Sequence, residues 1–369
     1  MISYLRGIRK LKGVAILRLD FNTEDDWRMK ASLSTINFLL RQKVKILILS
    51  HKGRPSSVKI KAGKPEGFDA ALSLKKDAVK LSGLLGKKVV FFDNFNFSKT
   101  KKIIDSAVPE SVFVLENLRF LPGEEKNDIR LAKRLAALGD FYVNDAFAVS
   151  HRADASVAAI TKFLPSYAGL EMEKEIKVLS RIIRNPQKPL VMVFGGAKIS
   201  DKLGVIKYFK NKSSAFLLGG ALANTLLALK GQNVGQSLIE KGGDKENKKI
   251  LNYKNLFLPI DSVWEKGKIL DIGPKTIRIF ENKINGAKSV IWNGPMGFIE
   301  KKNLTKGTLG VAMAIIKDKK IFSVAGGGET VMFLKKHKLD KKFSFISTGG
   351  GALLDFLAGE KLPGIEALK

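Results

Sequence analysis

Leu190-Val191-Met192-Val193-Phe194-Gly195-Gly196-Ala197-Lys198-Ile199-Ser200-Asp201-Lys202 is the stretch on which the reading of this chain turns. Its five apolar residues read as a strand buried on both faces, the kind found in parallel sheets. Gly195-Gly196 ends the strand in a tight turn, and the pattern predicts a helix opening from Ala197. On that helix Lys198 and Lys202 would share one face near the positive end of the dipole. Two ammonium groups beside unpaired backbone N–H groups make a phosphate site. A solvated lysine pair on a lysine-rich surface is the plainer alternative. This is not the common P-loop, because no Gly-Lys-Ser/Thr follows a four-residue gap.

The same unit recurs through the second half of the chain. Phe216-Leu217-Leu218 leads into Gly219-Gly220-Ala221, and Ile321 to Ala325 into Gly326-Gly327-Gly328-Glu329-Thr330. Phe343 to Ser347 leads into Thr348-Gly349-Gly350-Gly351. One glycine turn serves plain strand–helix packing; a series at one topological end lets backbone approach a phosphate chain. A nucleotide is the natural occupant. Glu329 and Thr330 put a carboxylate and a hydroxyl beside those phosphates. Magnesium uses one or two carboxylates plus phosphate oxygens, which makes Glu329 the metal candidate. Asn293, on the strand and turn from Ser289 to Gly297, and Glu300 are candidates for nucleotide contacts or for capping. No His/Cys/Asp cluster suggests a transition-metal site.

Toward the N-terminus, short β-rich runs alternate with helical segments, which indicates another parallel α/β sheet. Val14 to Leu19 runs into Asp20 and Asn22, with Arg28 shortly after. Val44 to Leu49 runs into His51 and Arg54, Ser111 to Leu115 into Arg119, and Phe141 to Val143 into His151-Arg152. Ligands of open α/β sheets bind beyond the carboxyl ends of the strands, so these residues gather in one place. Four arginines with few carboxylates to neutralise them read as a clamp for a small, multiply charged anion. Val58 to Phe68 reads as a Lys/Gly/Pro-rich loop, and the aromatic Phe91 to Phe97 as an edge strand packed on the core.

Between the halves, Phe163 to Gly169 breaks the pattern, and Glu171 to Arg184 reads as one amphipathic helix stopped by Asn185-Pro186. At 369 residues the chain exceeds one ordinary core, and a 45% hydrophobic content argues against wholesale disorder. The domain break is set at 169/170. With 65 Lys+Arg against 35 Asp+Glu, the net charge of +30 favours anionic partners. Pairs such as Lys248-Lys249 and Lys319-Lys320 are dispersed along the chain, as a solvated surface would be. The absence of cysteine excludes disulfides and thiol ligands. There is no signal-peptide core and no apolar run long enough to span a bilayer, so a cytoplasmic protein without a membrane partner is expected.

Taken together, these strings resemble phosphoglycerate kinase. The matching stretches include Arg18 to Asn22, Ser50-His51-Lys52-Gly53-Arg54-Pro55, Leu115 to Phe120, Gly139 to Phe147 and Gly195 to Lys202. Leu270 to Thr276, Trp292-Asn293-Gly294-Pro295-Met296-Gly297, Gly326 to Thr330 and Ser347 to Ala352 follow in the family's order. The resemblance implies an α/β fold: two Rossmann-like three-layer domains with parallel sheets joined by a helical hinge. Residues 1–169 would form the phosphoglycerate domain, with the tail 357–369 packing back on it, and 170–356 the Mg-nucleotide domain. The reaction implied moves the acyl phosphate of 1,3-bisphosphoglycerate to ADP, giving 3-phosphoglycerate and ATP, with Mg²⁺. By resemblance, Asp20, Asn22, Arg28, His51, Arg54, Arg119 and Arg152 hold the phosphoglycerate. Gly195, Lys198, Lys202, Gly219, Asn293, Glu300, Glu329 and Thr330, with the Gly327-Gly328 turn, serve Mg-nucleotide.

In the ATP-consuming direction the nucleophile is a carboxylate, already ionised at neutral pH, and no general base is needed. Catalysis then rests on alignment and charge stabilisation, for which Arg28, Lys198 and the backbone N–H groups of Gly350 and Gly351 are the choices. Domain closure about the helix from Glu171 would bring the substrates in line. The chain also departs from the family. The loop between Asn22 and Arg28 is short and lacks a proline, and Asp154 stands in place of a histidine. Ala221 replaces a third glycine, and Glu329 an aspartate. A monomer is expected. An impaired paralogue kept as a basic nucleic-acid-binding protein is the competing reading, disfavoured by the dispersed lysines but left open by the +30 charge. A Mg-nucleotide kinase for another acidic metabolite is a further option.

Overall fold

Val14-Ala15-Ile16-Leu17-Arg18 is buried along its whole length, as a strand covered on both faces must be. The computed structural model describes the chain apart from residues 1, 9, 24, 25, 54, 56–58, 62, 63, 67 and 68. It divides into one unit of residues 1–177 with 361–369 and a second of 178–360.

In the first unit the strands are β1 (Val14–Arg18), β2 (Lys45–Leu49), β3 (Lys59–Lys61), β4 (Lys64–Glu66), β5 (Val89–Phe92), β6 (Val112–Leu115), β7 (Phe141–Asn144) and β8 (Ser166–Ala168). Six of them form a parallel sheet in the order β5-β6-β2-β1-β7-β8. Ile16 lies opposite Leu47 on one side and Tyr142 on the other. β3 and β4 pair as an antiparallel hairpin inside the stretch read above as a loop, parts of which lie outside the described residues. β5 is the edge strand, held by Phe92 stacking on Phe113 at 5.5 Å. The helices are α1 (Trp27–Arg41), α2 (Lys75–Leu85), α3 (Phe97–Ser106) and α4 (Ile129–Ala136). Ile36 and Leu39 of α1 join Leu17, Ile46, Val114 and Val143 in the core. Each such side chain contributes about 1.5–3 kcal/mol on burial.

The helix α5 (Leu170–Arg184) starts where its free N–H groups find acceptors. Asp145, just past β7, accepts the N–H groups of Glu171 (2.9 Å) and Met172 (3.0 Å), and Thr35 Oγ1 accepts that of Leu170 (3.0 Å). Pro186 cannot continue the helix. The division between the units falls inside α5, at 177/178, where the sequence reading set it at 169/170.

In the second unit the strands are β9 (Leu190–Phe194), β10 (Ala215–Leu218), β11 (Leu256–Phe257), β12 (Ser262–Glu265), β13 (Lys268–Ile272), β14 (Ser289–Asn293), β15 (Phe322–Gly326) and β16 (Phe345–Ile346). The parallel sheet runs β11-β10-β9-β14-β15-β16, and β12 and β13 form a separate antiparallel pair. The helices are α6 (Ser200–Tyr208), α7 (Gly220–Leu229), α8 (Asp244–Leu251), α9 (Pro274–Ile284), α10 (Lys306–Lys317), α11 (Gly328–Lys336) and α12 (Gly351–Leu357). Trp292 of β14, fully buried, packs on Phe343 at 6.1 Å.

The tail carries α13 (Pro363–Glu366). It is bound to the first unit by the Gly364 N–H on Ser150 O at 2.8 Å and the Ser3 N–H on Leu368 O at 3.3 Å. Among the described residues no helix is long and apolar enough to cross a membrane.

At the carboxyl ends of β9 and β14 the chain packs backbone on backbone. Gly195 donates to Asn293 O at 3.0 Å and Gly196 to Pro295 O at 2.9 Å. A Cβ on Gly195 would run into the Pro295 carbonyl, whereas one on Gly328 would meet nothing. Gly195→Ala should therefore lower stability by about 1–3 kcal/mol. Gly328→Ala should stay within about 0.5 kcal/mol of the parent in the same urea titration.

Candidate functional site

In the first unit, the strand ends bring most of the expected anion-binding residues into one hydrogen-bonded set. Asp20, buried beyond β1, accepts Arg28 Nη1 at 2.7 Å and the Asn22 N–H at 2.9 Å. Burial works to raise its pKa, but the Arg28 guanidinium and the Asn22 N–H hold it below the usual carboxylate range. Arg28 stands in the first turn of α1, its guanidinium 5.2 Å over the Trp27 ring, so the short loop still delivers it to Asp20. Asn22 Oδ1 accepts the Gly53 N–H at 2.8 Å, and the Gly53 carbonyl accepts Arg119 Nη1. Arg152 acts on His51 through its charge. Arg54 lies outside the described residues.

The organiser of this set is Arg18, which the sequence reading quoted but did not single out. It is fully buried, donates Nε to Ser156 Oγ at 2.8 Å, and sets Nη2 3.1 Å from His51 Nδ1. Burial and the Arg18 charge push the His51 pKa down to about 3. The ring is therefore neutral at physiological pH, with Nδ1 accepting and Nε2–H left as a donor. Arg28 Nε and Arg119 Nη2 are buried donors without a partner, which suits an anionic ligand.

The expectation of few carboxylates is corrected. Asp20 pairs with Arg28 and Glu125 lies 3.4 Å from Arg119, while Asp154 and Glu124 lie buried in the field of Arg18. The arginines had to be compensated because isolated buried charge is costly. Asp20 and Glu125 lie within a few residues of their arginines, whereas the acids facing Arg18 come from far along the chain.

The second unit holds a cavity of about 620 Å³. Gly196, Gly220, Ala221, Met296, Glu300 and Glu329 are among its lining residues. Lys198 is exposed and Lys202 is buried. Burial lowers the Lys202 pKa, against the pull of Asp201, Glu329 and Glu240. The expected helix opening is corrected: α6 begins at Ser200, so Lys198 precedes the helix and does not share a helical face with Lys202. The cause is Glu240, whose carboxylate accepts the N–H groups of Ile199 (2.7 Å) and Ser200 (3.0 Å) and fixes the start there.

Thr330 also differs from the reading of an open hydroxyl. It is fully buried, and its Oγ1 accepts the Gly294 N–H at 2.8 Å, locking the turn after β14. Asn293 is buried beside Gly327, with Nδ2 an unpartnered donor. The Gly219 N–H is used by Phe194 O at 2.9 Å, and the Gly327 N–H lies 3.3 Å from Gly349 O. Gly350 caps α12. Glu329, in the first turn of α11, is exposed at the cavity. Among the described residues no group of three or more His, Cys, Asp or Glu could hold a metal alone.

Sequence reasoning missed Arg18, Glu124 and Glu240, and the apolar lining Leu238, Ile269 and Phe298. A charged residue inside a strand pattern is the one signal that could have found Arg18.

Two doubly wound parallel sheets, one ending in buried arginines and the other in glycine turns around a cavity, define an α/β enzyme that handles anionic ligands. The phosphoglycerate kinase model matches residues 12–360, and the chain belongs to the phosphoglycerate kinase family of nucleotide-dependent kinases. It is 42% identical to the phosphoglycerate kinase of Desulforapulum autotrophicum, covering 99% of each chain. It is 38% identical to that of Dictyoglomus turgidum over 97% of this chain and 96% of the other. The crystal structure of phosphoglycerate kinase from Pyrococcus horikoshii superposes with a TM-score of 0.87 at 30% identity, covering 100% of this chain and 98% of that one.

Glu124 carries a pH signature. Burial raises its pKa from 4.5 to about 7, against Arg18 and the Ser156 hydrogen bonds. An acid whose pKa is raised by folding stabilises the fold below its unfolded value, and that contribution is lost as pH rises through the folded value. The stability of the parent relative to Glu124→Gln should therefore fall between pH 4.5 and about 7 and level off above. Urea titrations of both proteins at four pH values would measure it, and a flat difference would contradict the assignment.

Proposed function

We infer that this protein catalyses the reversible transfer of the acyl phosphate of 1,3-bisphosphoglycerate to ADP, giving 3-phosphoglycerate and ATP. Family membership over residues 12–360 carries this reading. The residues agree with it. Asp20, Asn22, Arg28, His51, Arg119 and Arg152, with Arg54, would hold the phosphoglycerate on the first unit, which includes the tail. Arginine forks and a neutral imidazole N–H suit its carboxylate and phosphate. The cavity of the second unit would take the nucleotide, its base against Leu238, Met296 and Phe298 and its phosphates toward Gly195, Gly219, Gly327, Gly328, Lys198 and Lys202. Glu300 and Asn293 would add polar contacts, and Thr330 would act through the turn it locks.

Magnesium fits the donors present. Two exposed carboxylates, Glu329 and Glu300, stand at the cavity. Glu329, in the first turn of α11 beside the glycine turn, would be the ligand, and phosphate oxygens would complete the shell. When bound, the ion neutralises phosphate charge. Arg28, Lys198 and the Gly350 N–H would stabilise the transferring group, and the 3-phosphoglycerate carboxylate attacks without a base. Because the two substrates are held by different units, transfer requires closure about α5. Both sites lie in one chain, so a monomer is complete, and soluble metabolites as substrates suit the cytoplasm. The reading of a nucleic-acid-binding paralogue finds no support in the family or the fold.

A coupled assay with 3-phosphoglycerate and MgATP tests this. The parent should turn over, and Arg28→Ala and Lys198→Ala should each lose about 10²-fold or more in kcat. No turnover by the parent would contradict the reading. Loss confined to KM would remove both residues from the transferring group.

Chelation should abolish turnover and added Mg²⁺ restore it. Glu329→Gln should shift the Mg²⁺ titration upward by about tenfold, since one carboxylate charge is lost from the shell. An unshifted titration would take Glu329 out of the metal site.

A further inference from the structure

Glu240 ties together parts of the second unit that lie far apart in sequence. Its carboxylate accepts the N–H groups of Ile199 and Ser200 and the Ser200 hydroxyl. Its own N–H donates to Thr225 Oγ1 at 2.9 Å, and that hydroxyl donates to Ala221 O on α7 at 3.1 Å. It directly follows Gln236-Ser237-Leu238-Ile239, all of which line the cavity. One residue therefore joins the cavity wall, α7 and the loop that carries Lys198.

Lys198 sits between two anchors. On one side the Gly196 N–H is fixed on Pro295 O at 2.9 Å, and on the other Ile199 and Ser200 are fixed on Glu240. A lysine on an exposed loop samples many positions, and ordering it ahead of binding removes part of the entropy cost. Partial burial opposes ionisation of Glu240, but the Ser200 and Ile199 donors hold its pKa below the usual value. The clamp is therefore charged at neutral pH.

We propose that Glu240 is a positioning residue for the nucleotide phosphates: it holds the Lys198 loop in place against the wall of the cavity. This deepens the reading of the second unit as the Mg-nucleotide site and rests on it. A plain helix cap would cost stability alone. A positioning role predicts that the effect of Glu240 passes through Lys198.

The test is a double-mutant cycle on the full-length protein, with MgATP affinity measured by titration calorimetry. Glu240→Ala and Lys198→Ala should each weaken binding about tenfold, and the double variant no further, against about 100-fold for independent effects. Glu240→Gln should recover part of the loss, because its amide oxygen still accepts. It also serves as the better-folded comparison if the alanine variant is unstable. Multiplicative losses, or parental affinity in Glu240→Ala, would overturn the proposal. Tighter binding in Glu240→Ala would also overturn it, since the carboxylate would then be a competitor of phosphate for the two amides. A parent that binds no MgATP would defeat the nucleotide site and this proposal with it. A parent that binds MgATP but does not phosphorylate 3-phosphoglycerate would fail only the reaction, and the cycle would still decide the role of Glu240.

Discussion

The second unit depends on the close approach of three glycine-bearing turns at the carboxyl ends of β9, β10 and β14. Gly195 and Gly196 donate to Asn293 and Pro295, Leu222 donates to Gly196, and Gly220 donates to Met296. No side chain fits between them, and a Cβ on Gly195 or Gly294 would strike opposing backbone. The packing brings Gly196, Gly220 and Pro295 to the wall of one cavity. The glycines therefore serve two ends: they let the strands close together, and they leave a backbone surface that a phosphate chain can approach.

The first unit meets a different constraint, the placement of cations under a sheet. Arg18 is fully buried at the end of the central strand, with Ser156, Leu19 O and His51 around it. Burying it requires compensation, to which Asp154 contributes and to which Glu124, its own pKa raised to about 7 by burial, contributes in part near neutral pH. Burial and the Arg18 charge together keep His51 neutral, and Arg18 adds a lesser pull to that of Arg28 in keeping Asp20 ionised. The extra acid at Asp154 belongs to this balance.

Much of the architecture was legible from local pattern. The runs Val14 to Leu19 and Leu190 to Phe194 are strands because an apolar run bounded by polar or glycine residues has few other uses, and α5 ends where Pro186 requires it. What local pattern could not carry was the partner brought from far along the chain. Glu240 moves the start of α6 to Ser200, and Gly294 turns Thr330 inward. Glu124 meets Arg18 only after folding. The apolar wall Leu238, Ile269 and Phe298 carries no charge or spacing that separates it from ordinary core.

The central claim is that each sheet builds its own site at the carboxyl ends of its strands, phosphoglycerate on the first and Mg-nucleotide on the second. Amide hydrogen exchange with each ligand alone tests it most directly. MgADP should slow exchange at Gly195 to Ser200 and Gln236 to Ile239 and leave the first unit unchanged. 3-Phosphoglycerate should slow Phe21 to Thr23 and Gly53 and leave the second unit unchanged. Protection of the same segments by both ligands, or of the opposite unit by either, would contradict the account.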